Sequence, residues 1–313
     1  MEEKSTDPQI LVIGESLIDI VQREGEKPQS CPGGSPMNVA IGLGRLGHSP
    51  TLATWFAQDK YGKMITKHCE ESRVTILPGS DQAPRTSTAM AQLDEHGHAT
   101  YTFDIDMSLP VLPEAIPPLI HIGSLGALLQ PARDVVLPYC QRAQDTSMIF
   151  FDPNVRPSIM GSPDTVRPVV EEYIRTSTVV KVSDEDLAWL YPSPDIFHAH
   201  AKRWLEGGTT RLVVVTLGSK GARALTAQSE FTVPAHTTSD MVDTVGAGDS
   251  FMAGLISETI ACGYLEKSLG LELGEEPEIV EYILQRASQV AGITVSRAGA
   301  NPPWHDELDR KLT

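Results

Sequence analysis

Short apolar runs recur along this chain, most of them followed by a cluster of polar residues. Ile10-Leu11-Val12-Ile13, Leu119-Ile120-His121-Ile122, Met148-Ile149-Phe150-Phe151, Thr178-Val179-Val180-Lys181-Val182 and Leu212-Val213-Val214-Val215-Thr216 are continuous rather than alternating. Continuity marks strands covered on both faces, so these runs predict the inner strands of a parallel sheet. Helical stretches separate them, and repeated strand and helix alternation predicts an α/β fold. Ligands of such sheets bind beyond the carboxyl ends of the strands. Chemistry is therefore expected at Gly123-Ser124, Asp152 to Arg156, Ser183 to Asp186 and Leu217 to Gly221.

Two regions break this rhythm. Thr86 to Phe103 alternates, pauses at Asp94-Glu95-His96-Gly97 and resumes, which predicts a β-hairpin. Gln22 to Ser30 is charged and irregular and reads as a surface hairpin or flap. If the chain stays extended after Gly14, then Glu15, Leu17 and Asp19 share one face, which puts Asp19 near a strand exit. Next, Gly33-Gly34 feeds a helix with Ser35 expected at the N-cap, Pro36 at the first helical position and Asn38 in the first turn. Inside that helix, Gly42-Leu43-Gly44-Arg45-Leu46-Gly47 spells the dinucleotide fingerprint, but the helix has already begun and no strand leads directly into the glycines. Gly42 and Gly44 are assigned instead to close packing, and Gly47 to the C-cap. His96 with His98, and His198 with His200, lack a third ligand at zinc spacing and are set aside as metal sites.

At 313 residues the chain can bury a large core, and a single domain is expected. A formal charge of −16 argues against the broad basic surface of a nucleic-acid or membrane binder, so an anionic ligand must be held locally. Cys31, Cys69, Cys140 and Cys262 are widely spaced, which fits reduced thiols. The N-terminal residues show no signal-peptide pattern and no apolar run reaches membrane-spanning length, so a soluble, cytoplasmic protein is expected.

The strongest local signal is Asp243-Thr244-Val245-Gly246-Ala247-Gly248-Asp249. Gly246, Ala247 and Gly248 let the backbone turn tightly and leave N–H groups free at a helix start, where the helix dipole favours an anion. Asp249 at the mouth fits a general base that takes a hydroxyl proton while the amides stabilise a transferring phosphoryl group. The alternative is a plain helix N-cap behind a glycine turn. No Walker-type loop, zinc spacing or Gly-x-Ser-x-Gly competes with it.

Paired with Gly33-Gly34-x-x-x-Asn38-x-Ala40 about two hundred residues earlier, this loop makes the chain resemble the ribokinase-like sugar kinases, or phosphofructokinase B family, along nearly its whole length. Gly14 to Asp19, Pro32 to Ala40, Phe151 to Pro157 and Lys181 to Glu185 look most similar to bacterial and plant fructokinases. The resemblance implies a three-layer α/β/α Rossmann-like sandwich, one kinase domain over residues 1–313, with a small β-sheet lid inserted at roughly 15–34 and 85–106. It implies phosphoryl transfer from ATP, with Mg2+ held mainly by phosphates and water, to a primary hydroxyl of a small sugar, fructose first. A kinase for 2-keto-3-deoxygluconate, a ribose or nucleoside kinase, and a non-catalytic sugar sensor are the alternatives.

By the same resemblance Asp249 is the base, and the amides of Gly246, Ala247 and Gly248 form the anion hole. Asp19, Gly33, Gly34 and Asn38 would meet the sugar. Arg156 either approaches the ligands or forms a structural ion pair. Asn154, Asp186, Thr216, Gly218, Gly221, Gly299 and Asn301 would lie along the nucleotide. The chain departs from the family where Ser183 and Asp186 replace an Asn-x-x-Glu pattern, and where Phe103 to Met107 lacks an arginine that many fructokinases carry after the lid hairpin. Asp243 and the Val245 carbonyl would hold a potassium ion. A carboxylate so near a phosphate site repels the nucleotide unless neutralised, whereas the alternative role of Asp243 is to hydrogen-bond the turn. The lid's second face wants cover, so a homodimer through the lid is expected.

Overall fold

Strands that are apolar on both faces require a helical layer on each side, and the computed structural model supplies both. It describes residues 9–23, 27–93, 99–191, 196–236, 241–265 and 272–308. In chain order the strands are β1 (Ile10–Ile13), β2 (Leu17–Arg23), β3 (Gln29–Gly33), β4 (Thr51–Ala53), β5 (Thr75–Ile76), β6 (Thr88–Leu93), β7 (Ala99–Asp104), β8 (Leu119–Gly123), β9 (Met148–Asp152), β10 (Val179–Ser183), β11 (Leu212–Thr216), β12 (Ala222–Leu225) and β13 (Glu230–Val233). The helices are α1 (Ser35–Arg45), α2 (Lys60–Glu71), α3 (Ser124–Leu128), α4 (Arg133–Ala143), α5 (Pro157–Met160), α6 (Pro163–Thr176), α7 (Asp184–Leu190), α8 (Ile196–Glu206), α9 (Ala247–Ala261), α10 (Pro277–Val295) and α11 (His305–Leu308).

The main sheet runs β13-β12-β11-β10-β9-β8-β1-β4-β5, parallel from β11 to β5 with β12 and β13 antiparallel at one edge. The five predicted runs are its inner strands. Alternate residues divide between two cores. Val12, Phe150, Val179 and Val214 join side chains of α1, α9 and α10, whereas Leu11, Phe151, Val180 and Val213 join those of α4, α6 and α8. This is the expected α/β/α sandwich.

A second sheet, ordered β3-β2-β6-β7, comes from the two irregular regions. β6 and β7 form the expected hairpin, and its tip, 94–98 with His96 and His98, lies outside the described residues. The segment read as a surface hairpin or flap joins β2 to β3, which pair antiparallel from Leu17 with Gly33 to Val21 with Gln29, and 24–26 lie outside the described residues. The other histidine pair sits on α8, where the His200 ring lies 3.9 Å from that of Tyr191.

The passage between the sheets corrects the expected position of Asp19. Gly14 adopts φ 156°, and a Cβ there would lie 2.3 Å from Pro36 Cγ, so the chain swings out of the main sheet before β2 begins. Asp19 therefore stands in the small sheet rather than at the exit of β1. Glu15 does not share its open face. It is buried, and its Oε2 accepts the Gly126 N–H at 2.9 Å.

Three helices meet at unusually close range on the far side of the sheet. A Cβ on Gly42 of α1 would lie 2.6 Å from Ala253 Cβ of α9, and one on Gly254 of α9 would lie 2.9 Å from Ala287 Cα of α10. Close packing is thus the use of Gly42, as expected, and α9 is buried along most of its length.

Candidate active site

The contact between α1 and α9 sets their N-terminal ends together, and the two sequence motifs occupy those ends. Gly246 caps α9 in the left-handed conformation, φ 75°, and a Cβ there would lie 2.6 Å from Ala300 Cβ. Asp249 therefore falls inside the first turn and makes no capping bond, which rules out the plain N-cap role. Its carboxylate reaches across to α1 instead.

Ser35 was expected to cap α1, but Gly34 takes that place at φ 111°, where a Cβ would lie 2.6 Å from the Glu15 carbonyl oxygen. Pro36 moves with it to the second helical position. This frees the Ser35 hydroxyl, which donates to Asp249 Oδ1 at 2.7 Å, while Asn38 Nδ2 donates to Asp249 Oδ2 at 2.8 Å. A carboxylate offers about four acceptor directions, so each oxygen keeps one for a substrate hydroxyl. Ser35 is a site residue that sequence reasoning assigned to local capping.

The loop before Asp249 leaves backbone donors unused. The N–H groups of Gly246, Gly248 and Asp249 meet no acceptor among the described residues, whereas that of Ala247 donates to the Thr244 carbonyl at 3.2 Å. Ala247 is thus engaged in closing the turn. Asp243 also holds the loop: Oδ1 accepts the Val245 N–H at 3.0 Å and Oδ2 accepts the Gly299 N–H at 2.8 Å. Gly299 and Ala300 are thereby brought against the glycine turn.

On the small-sheet side, a Cβ on Gly33 would lie 2.0 Å from Asp19 Oδ2, so Gly33 is what leaves room for that carboxylate. Asp19 is open to solvent yet walled by protein. Loss of bulk water raises its pKa to about 6, with Arg156 opposing and Asp249 adding to the rise. Arg156 makes no ion pair among the described residues. Its Nη1 donates to the carbonyls of Asn154 and Val155, both at 3.1 Å, and to Asn154 Oδ1 at 2.5 Å.

At the carboxyl ends of β10 and β11, Ser183 pairs in register with Thr216. Asp186 is buried and forms a capping box with Ser183: Oδ2 accepts the Ser183 N–H at 3.1 Å, and Oδ1 accepts the Val155 N–H at 3.0 Å. It therefore clamps the loop after β9 to the start of α7. Asn154 in that loop is left-handed, φ 36°. Gly218 and Gly221 bracket a short 3-10 turn after β11. Asn301 lies at the opposite end of α1 from Ser35, where its Oδ1 accepts from Arg45 Nη1 at 2.6 Å. A second pair went unremarked in the sequence: Lys181 Nζ donates to Asp152 Oδ2 at 2.6 Å, with both side chains buried.

Residues 7–307 match the family described as pfkB family carbohydrate kinase. The chain belongs to that family. A fructokinase of Klebsiella pneumoniae is 28% identical over 97% of this chain and 99% of its own. Solved structures share the fold, two fructokinases among them. The fructokinase of Xylella fastidiosa with bound ATP has a TM-score of 0.81 at 22% identity, covering 96% of each chain. A double mutant of the fructokinase of Vibrio cholerae O395, with fructose, ADP and potassium bound, has a TM-score of 0.78 at 22% identity, covering 95% of each. The chain is accordingly a sugar kinase. No helix among the described residues is long and apolar enough to cross a membrane.

Proposed function

We propose that this kinase transfers the terminal phosphoryl group of ATP to a primary hydroxyl of fructose. The observation that carries the proposal is the convergence of Ser35 and Asn38 on Asp249, beside amides with no acceptor of their own. Asp249 accepts the hydroxyl proton as the oxygen attacks phosphorus. The amides of Gly246, Gly248 and Asp249 then stabilise the charge on the transferring group. Asp19 and Asn38 suit a polyol because a carboxylate accepts and an amide also donates. The small sheet serves as the lid over that sugar. Fructose is favoured by the likeness to the Klebsiella fructokinase.

A second reading, 2-keto-3-deoxygluconate, is favoured by Arg156, whose guanidinium has no carboxylate partner among the described residues and is free to pair with that of a substrate. Fructose, ribose and 2-keto-3-deoxygluconate, assayed with ATP for kcat/KM, should rank fructose first. The acid ranking first would transfer the assignment to it.

The oxygens of Asp243 fit a potassium ion, since each accepts one N–H and keeps a lone pair for a hard cation. At constant ionic strength, replacing a bulky organic cation by potassium is expected to raise kcat/KM for ATP severalfold in the parent but not in Asp243→Ala. An unchanged parent would leave Asp243 as a turn residue. Mg2+ accompanying ATP would be held mainly by phosphates and water. The outer strands of the small sheet, β3 and β7, offer edges for a homodimer. Part of its outer surface already has cover, since α2 lies against β2 and β3. Light scattering at micromolar protein decides between dimer and monomer. Four unpaired thiols suit a reducing cytoplasm.

A further inference from the structure

Beneath the anion loop lies a buried cation that the chemistry above does not use. Lys181 of β10 and Asp152 of β9 point to the side of the sheet that carries α1 and α9, and their side chains are 5% and 1% exposed. Lys181 Nζ is 2.6 Å from Asp152 Oδ2, and it lies 3.0 Å from where a Cβ on Gly248 would stand. The ammonium thus touches both Asp152 and the first turn of α9.

Burial opposes a positive charge there, but Asp152, with Asp249 and Asp186 adding to it, outweighs that and holds the Lys181 pKa above its ordinary value. A helix N-terminus already carries positive potential, and the free amides of Gly246, Gly248 and Asp249 add to it. Burial of both ions costs further solvation, and an apolar pair of similar volume is often as stable or more so. Asp152 is only half satisfied, because its Oδ1 meets no hydrogen-bond donor among the described residues. His121, buried close by, adds no charge, since burial and the Lys181 cation lower its pKa to about 3. Stability alone therefore does not account for the pair, whereas an arriving phosphoryl group does.

The geometry points to Lys181 as a positioning residue for phosphoryl transfer, its fixed charge beneath Gly248 strengthening the field in which the loop amides hold the transferring group. This rests on the phosphoryl-transfer reading and adds a residue to it.

Two variants break the same pair from opposite sides. Lys181→Met is expected to lower kcat about thirtyfold or more while KM for the sugar stays within about threefold. Asp152→Asn keeps an oxygen to accept the Lys181 bond and leaves Asp249 and Asp186 to favour its charge, so kcat should stay within about fivefold. A purely structural pair predicts similar falls in the two variants, and that result would overturn the assignment. Lys181→Met is also expected to lower Tm by roughly 5–10 °C by leaving Asp152 unpaired. Adding Asp152→Asn removes the unpaired charge and should recover part of the lost Tm but not kcat, and recovery of kcat in that double variant would overturn the proposal as well. The same asymmetry is expected in the Kd of inorganic phosphate in the presence of ADP, measured by calorimetry. That readout needs no turnover, so it separates failure of this assignment from failure of the kinase reading.

Discussion

Asp249→Asn is expected to lower kcat by about a hundredfold or more, a loss of about 2.7 kcal/mol in transition-state stabilisation, and to leave the affinities for sugar and nucleotide near those of the parent. The variant should fold, because the network around it can be satisfied again. The new amide oxygen accepts from Asn38 Nδ2, and its NH2 donates to the Ser35 hydroxyl, which rotates from donor to acceptor. What it lacks is a site to receive the substrate proton. Steady-state kinetics on protein with parental Tm reads this directly, and near-normal kcat would remove Asp249 from the role of base. Ser35→Ala supplies a graded companion. It removes one of the two donors that orient Asp249, so a smaller fall in kcat is expected.

Asp19→Asn has the second largest effect, expected in KM for the sugar rather than in kcat. A bond from a sugar hydroxyl to a charged acceptor contributes about 1.5–3 kcal/mol, so KM should rise roughly ten- to a hundredfold. Gly33→Ala should reproduce much of this without touching the charge, because the new methyl would lie 2.0 Å from Asp19 Oδ2 and displace it. The pH dependence follows from the same residue. Its pKa, raised to about 6 by loss of bulk water, means that the accepting, ionised form dominates above that pH. As pH falls through 6 the carboxyl takes up a proton and loses acceptor capacity, so kcat/KM for the sugar falls up to tenfold per unit. In Asp19→Asn that acid limb should disappear, and its persistence would assign it to another group.

The inner strands were legible because covering both faces of a parallel sheet forces continuous apolar runs, as in β8, β9 and β11. The short strands β4 and β5 carry too few residues for that signature, and along the edge strand β13 buried and exposed residues alternate instead of forming a continuous run. The tight turn at the start of α9 was legible from its glycines. Its partner was not, because Ser35 before Pro36 looks like any N-cap, and only the fold shows that Gly34 relieves it of that duty. Asp19 was misplaced because the reversal at Gly14 depends on contact with Pro36, a long-range fact hidden in a single glycine. Lys181 was visible in principle. A lysine centred in Val179-Val180-Lys181-Val182 must be buried, and a buried ammonium requires an acidic partner.

The convergence of α1 and α9 on one carboxylate is best tested by 31P NMR of a reaction containing the parent, fructose and ATP. The proposed function predicts a phosphate monoester on a primary carbon of fructose, formed in step with ADP and absent with Asp249→Asn. If the folded parent forms no ester from fructose, ribose or 2-keto-3-deoxygluconate, the assignment of Asp249 and its glycine loop to phosphoryl transfer is contradicted.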